Sequence, residues 1–203
     1  MIMTFRDKRR FHLGVAFYFC QEGEIMKKNN IQTLVFNSVI AAIYVVFTLV
    51  FAPFSYSTKL LFIELRISEI LLVLTFYNKK YGPGIIIGCF LSNLLGSPLG
   101  IIDWIFGTLQ TALSVMVYAL INKTKFNRLV KVVVGSIINS LHCGLIIGGV
   151  LTYAYANGAS ILPFFITQFL GVFIGEIIIL IIGIIIFEIS FKNRGFKKLM
   201  EIE

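Results

Sequence analysis

Charge is scarce in this sequence. Only 14% of its 203 residues are Asp, Glu, Lys or Arg, whereas soluble globular chains carry about a quarter. So few ionic groups cannot present a solvated surface all round, and 58% of the residues are apolar, with a mean hydropathy of +0.90. A bilayer is therefore the expected solvent. Cysteine is sparse as well. Cys20, Cys89 and Cys143 stand far apart without a CxxC pair, so they read as small buried residues rather than metal ligands or disulfides. The sequence has no HExxH, no GxSxG, no Walker lysine loop and no paired intramembrane histidines. A membrane-embedded enzyme acting on lipids is accordingly the weaker function class, and neither a metal nor a cofactor is expected.

What is present fits an all-α integral membrane protein. Crossing a hydrocarbon core of about 30 Å takes about 20 apolar residues. Six such spans use up nearly all of residues 26–203, leaving no room for a soluble catalytic or nucleotide-binding domain. The expected spans are Ile31–Phe51, Arg66–Tyr77, Tyr81–Leu95, Ile101–Ile121, Leu129–Tyr153 and Pro163–Phe191. The second is short unless residues from Leu60 onward also enter the membrane.

The net charge of +8 does not signal a nucleic-acid partner, because the basic residues sit in short clusters between apolar runs. Lys27, Lys28, Lys79, Lys80, Lys123, Lys125, Arg128, Lys131, Lys192, Arg194, Lys197 and Lys198 all fall on one side of the expected topology, against Lys59 and Arg66 on the other. By the positive-inside rule both termini are cytoplasmic. Residues 1–25 stand apart: a basic run, Arg6 to Arg10, precedes a ten-residue apolar stretch, and no small-residue cleavage site follows. They are expected to be a non-native or disordered extension, with natural translation starting at Met26.

Small residues recur at helical spacing in Gly84, Gly88, Ser92 and Gly96, in Ser140, Gly144 and Gly148, and in Gly171 and Gly175. Such faces let helix backbones approach closely in lipid. The small face of the first span, Ser38, Ala41 and Ala42, is open between packing inside the bundle and meeting another protein.

An ionised side chain at the bilayer centre costs about 2.5–3.5 kcal/mol on insertion scales, so the polar residues inside the spans mark a site. They are Arg66, Glu69, Asn93, Asp103, Trp104, Asn139, Gln168 and Glu176, with Thr108, Gln110 and His142 nearby. Most fall in the outer half or near the midplane, which fits a pocket open to one side better than a pore lined throughout. Each also has a plainer reading. Arg66 and Glu69 are three apart and can neutralise each other. Asp103 can serve the N-terminus of the fourth span. Asn93, Asn139, Gln110 and His142 can bridge helices. Glu176 is deep, with no basic residue in its own span to pair with.

Several of these residues recur in one family pattern. Arg66-Ile67-Ser68-Glu69, Gly88-Cys89 with Asn93, and Asp103 followed by Phe106-Gly107-Thr108-Leu109 and Thr111 resemble the queuosine-precursor transporter family (QueT). That family comprises substrate-binding S components of energy-coupling-factor transporters. Ala52-Pro53-Phe54-Ser55-Tyr56 also fits, and the likeness runs from about Ile31 to Phe191. Gln110 stands where the family usually has Ala, and Leu74-Thr75 where it has Leu-Pro. The resemblance implies a six-helix S component of the plasma membrane working with a transmembrane coupling subunit and two ATP-hydrolysing subunits. The small face of the first helix would meet the coupling subunit. The implied substrate is 7-aminomethyl-7-deazaguanine or a related 7-deazaguanine. Without the resemblance, another vitamin such as thiamine would serve as well.

Overall fold

The computed structural model describes residues 31–56 and 63–199. The extension over residues 1–25 and the proposed start at Met26 lie outside the described residues. By backbone contacts the chain divides into two units, Met1–Phe36 and Asn37–Glu203. The boundary falls within the first helix, so the second unit holds the rest of that helix and all the others.

All described elements are helical. Four helices are long and apolar enough to cross a membrane: α1 (Ile31–Val50), α5 (Ile101–Asn122), α6 (Arg128–Tyr155) and α7 (Ile161–Ser190). Their bounds lie within two residues of the expected spans. Between α1 and α5 the chain is more broken. A one-turn helix, α2 (Ala52–Ser55), opens on Pro53, where a missing N–H does no harm. After residues 57–62 an irregular stretch leads into a 3-10 helix, Ile67–Val73, continued by one α turn, α3 (Leu74–Tyr77). A second 3-10 turn, Lys79–Tyr81, leads into α4 (Gly82–Gly96).

Two of the six expected spans are therefore short. The 3-10 segment rises about 2.0 Å per residue over seven residues, and α3 adds about 1.5 Å over four. Together they reach about 20 Å. The fifteen residues of α4 reach about 22 Å. A full crossing takes about 30 Å, whereas the thirty residues of α7 extend about 45 Å.

Small residues set the packing. A Cβ at Gly84 would meet the backbone and side chain of Asn37, and one at Gly88 would meet Ala41 and Tyr44. Asn37 locks this contact: its Oδ1 accepts from the Gly84 N–H at 2.7 Å and its Nδ2 donates to the Lys80 carbonyl at 2.9 Å. The most extensive helix pair is α6 with α7, where Gly144 and Gly148 lie against Phe169 and the Gln168 backbone. Further along α7, Gly175 sits under the Glu64 carbonyl and Gly183 under Ile70 and Val73. The irregular 63–73 segment thus has a glycine track on α7. Thr48 secures its other side by donating to Ser68 at 2.7 Å.

Outward-turned positions are large and apolar along every long helix, as with Leu109, Leu141, Ile178 and Ile185. The buried positions are unusually polar, including Thr48, Ser68, Glu69, Asn93, Asp103, Gln110, Asn139 and Glu176. That inversion is expected where lipid, not water, surrounds the helices.

Candidate functional site

Five of the buried polar residues, Arg66, Glu69, Asp103, Gln110 and Glu176, line two small cavities. Tyr56, Glu64, Ser97, Pro98, Leu99, Asp103, Ile147, Val150, Leu151 and Tyr155 line the first. The second, of about 20 Å³, is lined by Glu64, Arg66, Glu69, Gln110, Cys143, Ile147, Val172 and Glu176. It lies deeper, among groups that are nearly inaccessible. A space of that size admits about one water molecule.

Arg66 is positioned by the backbone that ends in the 3-10 helix, for which it is the N-cap residue. Its guanidinium stands 3.6 Å from Glu64 and 3.9 Å from Asp103, and 5.6 Å from the centre of the Tyr56 ring. Charge-assisted hydrogen bonds close to about 2.7–2.9 Å, so Arg66 is shared between two acids without being committed to either. Its Nε has no hydrogen-bond partner. Of the two readings open for Arg66 and Glu69, a direct ion pair between them is not formed; the acids nearest Arg66 are Glu64 and Asp103. Arg66 is the N-cap residue, with non-helical φ −89° and ψ 88°, so helical spacing does not set its side chain beside Glu69.

Glu69 instead accepts from the Tyr44 hydroxyl at 2.7 Å through Oε1, while its Oε2 is unpartnered. Glu176 of α7 accepts from Asn139 Nδ2 of α6 at 2.8 Å, and Asn139 Oδ1 is unpartnered. Glu69, Asn139 and Glu176 are each at least 95% buried. Buried polar atoms are nearly always satisfied in folded proteins. Here Arg66 Nε, Glu69 Oε2 and Asn139 Oδ1 are not, and Glu64 Oε2 joins them. These open donors and acceptors belong to residues lining the deeper cavity or bonded to one that does.

The remaining sequence-based candidates divide. Asp103 lines the first cavity and makes no side-chain cap on α5; Gly100, at φ 60°, is the cap residue. Asn93 is brought close but already used: its Nδ2 donates to the Asp103 carbonyl at 3.3 Å and its Oδ1 accepts from Tyr56 at 3.2 Å. Trp104 lines neither cavity, although its Nε1 is buried without a partner. Gln168 also lines neither, its backbone lying against Gly148. Gln110 joins the cavity wall with its amide held by Ser114 at 3.1 Å and by Thr111 at 3.2 Å. His142 acts as a bridge, 3.2 Å from Ser114 and 2.9 Å from the Ile138 carbonyl.

Sequence reasoning missed Glu64 and Tyr44. The available signal for Glu64 was an acid set in an otherwise apolar run, Leu60 to Leu65. On α1, Ser38 and Ala42 face outward, but Ala41 is 7% exposed and packs inward on Gly88. It belongs to the internal helix contact rather than to a surface for another protein.

Comparison with known proteins gives a consistent picture. A profile of the QueT transporter family matches residues 34–192. The curated "Queuosine precursor transporter QueT" of Lactococcus lactis subsp. cremoris (strain MG1363) is 36% identical over 88 residues. That match covers 42% of this chain and 48% of the relative, about half its length. No solved structure matches the chain. The family match takes in α1 from its fourth residue, all of α2 through α7, and every residue lining the two cavities, and on that ground the chain belongs to the QueT transporter family.

Proposed function

We propose that this protein is the substrate-binding S component of an energy-coupling-factor importer for a 7-deazaguanine precursor of queuosine. The observation that carries the reading is the set of unpartnered polar atoms on Arg66, Glu69 and Asn139, buried among lipid-facing helices. Leaving a polar atom buried and unsatisfied costs about 1–3 kcal/mol each, a cost a polar ligand removes. A guanine-type edge is complementary to it. Its ring N–H and exocyclic amine donate to carboxylates such as Glu69 and Glu176, and its carbonyl accepts from a guanidinium or amide. A protonated aminomethyl group is favoured beside a second carboxylate or an aromatic face such as Tyr56. The deeper cavity has room for about one water, so a bicyclic base enters with the walls parting.

The distribution of charge supports the orientation. Lys79, Lys80, Lys123, Lys125, Lys131 and Lys192 lie at the helix ends away from Asp103 and Glu64, which by the positive-inside rule favours cavities facing outside the plasma membrane and both termini in the cytoplasm. Six crossings result if the 67–77 segment and α4 each traverse a thinner layer. Ser38 and Ala42 on the open side of α1 are the proposed contact for a transmembrane coupling subunit, which two ATPase subunits energise.

Calorimetry of the purified protein against 7-deazaguanines, guanine, thiamine and riboflavin tests the assignment. Saturable binding of a deazaguanine alone is the expected result. Selective binding of thiamine or riboflavin would assign the chain to a different vitamin. Cysteines introduced at Lys123 and Lys198 should resist a membrane-impermeant reagent added outside cells, and their labelling there would reverse the topology.

A further inference from the structure

Among the described residues, Glu64 is the charged one that lines both cavities. Its carbonyl rests on Gly175 of α7, where any Cβ would collide with it, and the next residue, Leu65, donates its N–H to the Phe54 carbonyl at 3.1 Å. The backbone is thus pinned on both sides and the carboxylate has a fixed station. That station is the junction of the two cavities: Glu64 and Ile147 line both, and Glu64 is the polar one.

The charge balance around the junction is uneven. Arg66 is set nearest Glu64 and Asp103, at 3.6 and 3.9 Å, and among the described residues it is the one cation lining the deeper cavity, where Glu64, Glu69 and Glu176 make three acids. Glu69 and Glu176 each accept a hydrogen bond from a neutral donor, Tyr44 or Asn139. Glu64 Oε2 and Glu69 Oε2 accept none. Surplus negative charge is costly in a low-dielectric interior, and a cation entering it is favoured.

We propose that Glu64 is the residue that selects a cationic substituent on the transported heterocycle, its Oε2 taking the charged N–H at the junction while Glu69 and Glu176 hold the ring's donor edge. This assignment rests on the proposed transport function and deepens it.

The test uses the full-length protein in lipid nanodiscs and two ligands with one ring system: 7-aminomethyl-7-deazaguanine, an ammonium, and 7-cyano-7-deazaguanine, a neutral nitrile. The unaltered protein should favour the ammonium at least about tenfold, the scale of one charge-assisted hydrogen bond. Glu64→Gln should erase that preference by weakening the ammonium about tenfold more than the nitrile, and saturable nitrile binding doubles as the check on folding. Equal weakening of both ligands, or an unchanged preference, overturns the role of Glu64 while leaving the transport function standing. Should the Gln protein not fold, Glu64→Asp carries the test, since it keeps the charge and withdraws it by one methylene. There the ammonium must weaken more than the nitrile, and equal weakening overturns the proposal. If the unaltered protein binds neither deazaguanine but binds thiamine, the deazaguanine reading falls on its own. Loss of thiamine affinity in Glu64→Gln then upholds cation selection. Undiminished thiamine affinity, or binding of no cation at all, overturns it.

Discussion

Two arginine–carboxylate–tyrosine groups sit at opposite ends of this unit, and they are built to different standards. At the basic end, Arg128 meets Glu188 at 3.2 Å and lies 4.6 Å from the centre of the Tyr77 ring, while the Tyr77 hydroxyl donates to Glu188 at 2.7 Å. Arg128 and Glu188 side chains are 54% and 38% exposed. At the acidic end, Arg66 and Glu64 are 8% and 11% exposed, yet the pair stands open at 3.6 Å and the Tyr56 ring is 5.6 Å away. The wet group is closed and the dry group is loose. For stability alone the reverse would be sensible, since burial raises the cost of every unmade contact. The buried group is arranged to receive something, and the exposed one simply ties α3, α6 and α7 together.

Substitutions can sharpen or break this contrast. The largest effect should come from Gly175→Ala, which forces a methyl into the Glu64 carbonyl. Overpacking of this kind costs about 1–3 kcal/mol, and the upper end is expected because backbone must move. Thermal unfolding should show the loss, with ligand affinity falling alongside. Next come Glu69→Gln and Glu176→Gln, each weakening deazaguanine binding by more than about 1.5 kcal/mol in calorimetry while the protein remains folded. Unchanged affinity in both variants would refute the site. Arg128→Ala should cost less than about 1 kcal/mol of stability and leave ligand affinity alone. A large loss of binding there would erase the distinction between the two ends. The smallest effect belongs to Gly149→Ala, where a Cβ meets nothing within 4 Å and the melting temperature should hold or rise slightly.

The sequence disclosed most where one physical rule dominates. Lipid exposure demands long apolar runs, and α1, α5, α6 and α7 followed from them almost to the residue. The cost of buried charge singled out Arg66, Glu69 and Glu176, which do line one cavity. Legibility failed where the backbone leaves the α-helix. Arg66 stands just before the 67–73 helix with non-helical backbone angles, so the i,i+3 spacing that made a pair with Glu69 one of its readings does not govern it, and its nearest acids are Glu64 and Asp103. Glu64 lies in irregular chain, where no periodicity points to a face. On α1, Ala41 and Ala42 are adjacent, yet one is buried on Gly88 and the other open, a rotation of about 100° per residue that composition does not reveal. Asn93 met the criteria for a site residue equally well, and only its bonds to Tyr56 and the Asp103 carbonyl show it to be occupied.

The unequal helix lengths carry a consequence for where this protein resides. Helix α4 reaches about 22 Å and α7 about 45 Å, so one perimeter confronts the lipid with two different hydrophobic heights. If α4 crosses, as the proposed six-span arrangement requires, acyl chains beside it compress or splay while α7 leans. Thick, sterol-stiffened or long-chain membranes would resist that deformation, and short-chain fluid ones would welcome it. The lipid composition of the host cell thus becomes a partner in holding the fold.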